Sequence, residues 1–85
     1  MFRIAVSTTA LKSRRRLPAD LRKRLSAKIE ALARDPHGPQ PQVRPLKGLD
    51  AYRLRVGDGR VLYELDEDTE TLIVLDLRKR EEAYR

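Results

Sequence analysis

The chain of 85 residues has no cysteine, no tryptophan, one histidine and four glycines. Without cysteine there is neither a disulfide nor a thiolate metal cluster, and the lone His37 cannot complete a zinc site or a serine-histidine-aspartate triad. No run approaches the roughly 18–20 apolar residues that span a bilayer, and the opening MFRIAVSTTALKSRRR lacks the apolar stretch of a signal peptide. A soluble, cytoplasmic protein without a membrane partner is expected. Glycine-rich phosphate loops and metal-ligand clusters are also missing; the VGDGR segment is a hairpin turn without the context of a nucleotide fingerprint. No metal and no small-molecule cofactor is therefore expected. A chain this short buries roughly 60–65% of its unfolded surface. That suffices for one two-layer core, so residues 1–85 are read as a single domain whose active site must be an open surface.

What the chain has in abundance is charge, with 19 Lys+Arg against 13 Asp+Glu and a net charge of +6. The excess is segregated: residues 1–35 hold ten basic and three acidic side chains, and residues 49–85 hold seven basic and ten acidic. Clustered Lys and Arg bind phosphates through Coulomb attraction and counterion release, so a basic front half points to a polyanion, most simply nucleic acid. A well-solvated helix surface gives the same composition.

Phe2, Ile4 and Val6 alternate with Arg3, Ala5 and Ser7, which predicts a first strand with one buried face. Ser7, Thr8 or Thr9 then offers an N-cap for a short helix over about residues 9–16. Pro18 opens a longer helix in which Leu17, Leu21, Leu25, Ile29 and Leu32 recur near helical spacing, stopped by Asp35-Pro36. Arg14, Arg15, Arg16, Arg22, Lys23 and Lys28 fall largely outside that stripe and form a basic outer face, a candidate RNA-docking surface together with Lys47. The proline-broken segment PHGPQPQVRPLKGLD reads as an ordered connecting loop, with Leu46 and Leu49 pinning its end to the core.

In AYRLRVGDGRVLYEL, Tyr52, Leu54 and Val56 alternate with Arg53 and Arg55, and Val61, Tyr63 and Leu65 alternate with Arg60, Leu62 and Glu64. This predicts a hairpin turning at Asp58-Gly59, with Val56 opposite Val61, Arg53 opposite Glu64, and every apolar side chain on one face. A last strand, TLIVLDLRKR, is expected to bury Ile73, Leu75 and Leu77 and to send Leu72, Val74, Asp76 and Arg78 outward. Pairing Leu65 with Ile73 sets Arg60 opposite Arg78, two guanidiniums that want an anion between them. The open face then carries Arg53, Arg55, Arg60 and Arg78 beside Leu62, Leu72 and Val74, an apolar strip that could receive a partner segment. The layout is strand, two helices and a three-stranded antiparallel meander with a short C-terminal segment, an α+β two-layer domain.

The order of elements and the phrases LKGLDAYRLRVGDGRVLYEL and LRKREEAYR closely resemble the RelE family of toxins in the RelE/ParE superfamily of type II toxin-antitoxin systems. The resemblance covers nearly the whole chain. It implies a RelE-like fold and a ribosome-dependent mRNA endonuclease that cuts in the decoding site, with the ribosome and mRNA as partners and a cognate antitoxin as inhibitor. Position by position, Arg53 and Arg55 match the paired basic residues of their strand, Arg60 the phosphate-binding arginine after the hairpin, and Tyr84 the terminal tyrosine. Arg78 or Arg80 matches the second catalytic arginine. The chain departs from the pattern at Arg78-Lys79, where many members carry glycine-histidine, at Gly59, where many place an aromatic residue, and in using arginine for lysine at residues 53 and 55. A ParE-like inhibitor of DNA gyrase and a decayed toxin that only binds its antitoxin are the competing readings.

RNA cleavage by 2′-hydroxyl attack needs a base, positive charge for the developing phosphorane and a proton for the leaving 5′ oxygen. The arginine face supplies the charge. Free arginine ionises above about 12, which makes Arg53 or Arg55 a poor base. Glu64, expected opposite Arg53, could accept the proton or simply order the arginine. Tyr84 could stack on a splayed base, orient the nucleophile or pack the terminus. His37, distant in sequence from the arginine strands, reads as a loop residue.

Overall fold

The computed structural model describes residues 1–46, 48 and 50–79. Seven elements follow in order: β1 (Arg3–Val6), α1 (Thr8–Arg16), α2 (Ala19–Arg34), β2 (Val43–Pro45), β3 (Ala51–Val56), β4 (Gly59–Asp66) and β5 (Thr71–Lys79). The strands form one sheet in the order β1-β5-β4-β3-β2, with β1 parallel to β5 and the other neighbours antiparallel. This is the expected α+β two-layer architecture.

Local chemistry sets the helix ends. Ser7 caps α1, its hydroxyl accepting from the Ala10 N–H at 3.0 Å. Arg14, Arg15 and Arg16 occupy the last turn, where the helix dipole favours cations. Pro18 forces Leu17 into extended backbone (ψ 145°), which breaks the chain between the helices. On α2, Leu21, Leu25, Ile29, Leu32 and Ala33 form a continuous buried stripe. They pack on Leu54, Val56, Val61, Tyr63, Leu72, Val74 and Leu77 of the sheet, with Phe2, Ala10 and Leu17 closing the core.

Four features differ from the sequence reading. First, β1 is an edge strand: only Phe2, just outside it, is buried, and Ile4 and Val6 remain 38% and 42% exposed. Second, the proline-rich segment contributes β2, whose central Arg44 pairs with Arg53. Edge position is what lets Pro45 end a strand without a missing ladder bond. Leu46 is half-buried there, its N–H donating to the Ala51 carbonyl, while Leu49 lies outside the described residues.

Third, the β3–β4 turn is centred one residue earlier than expected, on Gly57-Asp58. Gly57 has φ +53°, the left-handed conformation that a two-residue turn with glycine first requires. The shift pairs Arg55 with Arg60, Leu54 with Val61, Arg53 with Leu62 and Ala51 with Glu64. Since partners move by two positions, every side chain keeps its expected face.

Fourth, the β4–β5 ladder shifts between Leu62 and Tyr63: Leu62 pairs with Asp76 but Tyr63 with Val74, leaving Leu75 as a bulge. Beyond the bulge Arg60 pairs with Arg78, as expected; before it the faces are reversed. Leu72 and Val74, expected on the open face, are 0% and 1% exposed, whereas Ile73 and Leu75 are half-buried on the side expected to be open. The bulge is held from outside the sheet: the Ser7 N–H donates to the Val74 carbonyl at 2.9 Å, and its hydroxyl donates to the Leu75 carbonyl at 2.7 Å.

A candidate nucleic-acid interface

Register alone builds the central feature. Arg55 on β3, Arg60 on β4 and Arg78 on β5 are successive cross-strand partners, so three guanidinium-bearing positions lie in a row on the face opposite α2. With strands about 4.8 Å apart, the row spans roughly 10 Å of sheet. Like charges directly opposite one another repel, by about 0.2–1 kcal/mol per pair. A bound anion relieves that repulsion.

Arg78 is held by a carboxylate. Asp76 Oδ2 accepts from Arg78 Nε at 2.8 Å, while Asp76 Oδ1 accepts from the Ser13 hydroxyl at 2.7 Å and the Leu77 N–H at 2.8 Å. Burial alone would raise the Asp76 carboxyl. The hydrogen bonds from Ser13, Arg78 and Leu77, with the charge of Arg78, outweigh it and hold the group below its ordinary value. Asp76 is 8% exposed because α1 lies beside it, and this one carboxylate ties helix to strand and strand to guanidinium. The contact uses Nε, so it does not consume the terminal amino groups that form a guanidinium's phosphate-gripping fork.

A second basic group adjoins the row. Arg44 stands opposite Arg53 on β2, and an open groove is lined by Pro41, Gln42, Arg44, Arg53, Arg55 and Gly57. The Arg24 guanidinium on α2 lies against Gly57 at the hairpin tip. Arg44 and Arg24 were not singled out by sequence reasoning; strand register brings Arg44 to the arginine strands, and the packing of α2 on the sheet brings Arg24.

The remaining expected site residues divide. Arg16 reaches the row, sharing a shallow depression with Ser13, Asp76, Leu77 and Arg78. Arg14, Arg22 and Lys23 gather instead along a separate groove between the helices, with Ser26, Ala27 and Glu30. Arg15 and Lys28 are exposed and line neither. Lys47, Arg80 and Tyr84 lie outside the described residues. Glu64 is not opposite Arg53 as expected: it pairs with Ala51 and Ile73, because the turn shift moved it two positions away. His37 binds Glu67 (2.7 Å) and meets Phe2 edge-on, away from the arginine strands. Among the described residues no three His, Asp or Glu side chains converge as a metal-binding group, and no helix is long and apolar enough to cross a membrane.

The two-layer architecture of two helices on a five-stranded sheet is shared with known proteins. The family described as ParE toxin of type II toxin-antitoxin system, parDE, matches residues 4–84. RelE1 of Methanocaldococcus jannaschii is 31% identical over 86 residues, covering 99% of this chain and 96% of that protein. The chain therefore belongs to the RelE/ParE family of type II toxin-antitoxin toxins. The archaeal RelE crystallised with RelB from Pyrococcus horikoshii OT3 has a TM-score of 0.79 at 26% identity, covering 93% of this chain and 94% of that one. The isolated E. coli RelE toxin has a TM-score of 0.81 at 22% identity, covering 99% and 92%, a likeness of fold.

Proposed function

We propose that this toxin is an endoribonuclease that cuts mRNA in the ribosomal decoding site, and that a cognate antitoxin restrains it. The observation that carries the reading is the Arg55–Arg60–Arg78 row on the sheet face opposite α2. In cleavage, the 2′-oxygen bonds to phosphorus as its proton leaves, and the bond to the 5′ oxygen breaks as that oxygen takes up a proton. The products are a 2′,3′-cyclic phosphate and a 5′-hydroxyl. Arg60 and Arg78 stabilise the charge of the phosphorane, with Arg80 adding to them; Arg53 and Arg55 hold the strand. Tyr84 stacks on a base next to the cut. Arg14, Arg15, Arg16, Arg22, Lys23, Lys28 and Lys47 supply charge for docking on ribosomal RNA. The antitoxin reading rests on relatives such as the P. horikoshii RelE, which was crystallised with RelB.

The test is primer extension on mRNA in a purified translation system, with and without ribosomes, comparing the unmodified chain with Arg60→Ala. Position-specific, ribosome-dependent cuts that fall about 10²–10³-fold in the variant, the usual loss for one transition-state donor, support the reading. The second reading, gyrase inhibition, is favoured by the ParE description of the matching family. Intact mRNA together with inhibited supercoiling would establish it. Intact mRNA with active gyrase would leave an antitoxin-binding protein whose activity has decayed.

A further inference from the structure

We infer that the groove beside the row is a second phosphate subsite, with Arg44 as its outer wall, taking the backbone of a single-stranded RNA one step beyond the phosphate held by Arg60 and Arg78. The inference rests on the nuclease reading and extends it.

Three observations carry it. The lining residues Gln42, Arg44, Arg53 and Arg55 bring three guanidiniums to one groove without a carboxylate. Arg44 and Arg53 are direct cross-strand partners, so the fold accepts a second like-charge pair on the same face as the row. The groove is also built rather than incidental. The Arg55 N–H donates to the Gln42 carbonyl at 3.0 Å, which fastens the lead-in to β2 onto β3, and Gly57, having no Cβ, lets the Arg24 guanidinium lie against the hairpin end.

Geometry gives the path. Arg53 and Arg55 are two residues apart on β3, about 6.5 Å along the strand. Arg55 therefore belongs to both groups, and a strand leaving the Arg60–Arg78 phosphate crosses Arg55 into the groove. Guanidinium forks without base-reading partners recognise phosphate rather than sequence, so the subsite adds affinity without codon preference. An acidic antitoxin segment is the rival occupant.

The test is fluorescence anisotropy with a labelled single-stranded oligoribonucleotide carrying 2′-deoxyribose throughout its central positions, so that no cut occurs. The full chain is compared with Arg44→Ala, Arg44→Lys and Arg60→Ala across a salt series, with the purified antitoxin titrated in parallel. Loss of one phosphate contact lowers the salt slope by about 0.7, or affinity about eightfold at 50 mM relative to 1 M salt. The expected result is that loss in Arg44→Ala, restoration of slope in Arg44→Lys, and unchanged antitoxin affinity. An unchanged slope in Arg44→Ala beside weakened Arg60→Ala overturns the subsite and leaves the nuclease reading standing. Weaker antitoxin binding with unchanged RNA binding assigns the groove to an acidic peptide and overturns it too. No salt-dependent RNA binding by the unmodified chain overturns the subsite, while the nuclease reading is decided separately by the ribosome-dependent cuts in primer extension.

Discussion

Replacing Asp76 removes the one carboxylate that α1, the bulged strand and Arg78 all use. Its three hydrogen bonds, from the Ser13 hydroxyl, the Leu77 N–H and Arg78 Nε, differ in worth. The Arg78 side chain is 49% exposed, so water screens that pair and it contributes at most about 0.5–1 kcal/mol. The other two reach a carboxylate that is 12% exposed, and in Asp76→Ala their donors lose that acceptor, at about 1–2 kcal/mol each. The alanine variant is expected to lose about 2–5 kcal/mol, which at about 4–8 °C per kcal/mol lowers Tm by at least about 8 °C. Asp76→Asn keeps an acceptor for Ser13 and should lose about half as much.

The pH dependence has a definite sign. The folded carboxyl titrates below its unfolded value, so its contribution is complete above about pH 4 and fades as pH falls through the depressed folded value. Melting curves of the unmodified chain, Asp76→Asn and Ser13→Ala at a series of pH values check this. The gap between the unmodified chain and Asp76→Asn should be widest at pH 5–7 and narrow in acid. A gap that stays constant with pH, or an alanine variant within about 0.5 kcal/mol of the unmodified chain, the range of ordinary surface changes, would refute the reasoning.

Arg55→Ala should leave Tm unchanged or raise it slightly, since Arg55 is exposed and faces Arg60, and relieving a like-charge pair returns about 0.2–1 kcal/mol; its binding of single-stranded RNA should weaken in the same preparation. Gly59→Ala should destabilise by about 1–3 kcal/mol, because its Cβ would stand 2.9–3.2 Å from the methyls of Leu21 and Leu25, and urea titration measures the loss.

The helices were legible because their signals are local. Ser7, Pro18, the apolar spacing of Leu21, Leu25, Ile29 and Leu32, and Asp35-Pro36 each act within a turn or two of chain, and α1 and α2 begin and end within a residue or so of the expected positions. The Arg60–Arg78 pairing was legible too, because polar Asp76 and Arg78 mark the outward face of that half of β5. Residues 72–75 are all apolar, so no residue there distinguishes one face from the other, and the bulge at Leu75 passes unseen. The bulged residue is held by Ser7, 68 positions away, which sequence marks only as a helix cap. Arg44 was hidden for a related reason. Prolines in the surrounding segment argue against a strand, and only an edge position, a property of the assembled sheet, permits one.

The placement of β5 also sets an order of events in folding. It is the last strand in sequence but lies between β1 and β4, and it receives α1 as well. The Arg55–Arg60 pair sits on a hairpin of adjacent strands, a local structure that can form early. Pairing β1 with β5 closes a loop of most of the chain, the slow kind of contact. Arg78 reaches the row through the β4–β5 hairpin, which is also local, but the Asp76–Ser13 bond that ties its support to α1 forms only in that late step. The three arginines can thus align on a local meander while the carboxylate that holds Arg78 still lacks its helix partner, so the charged face is fixed in place only when β1 and α1 dock on β5.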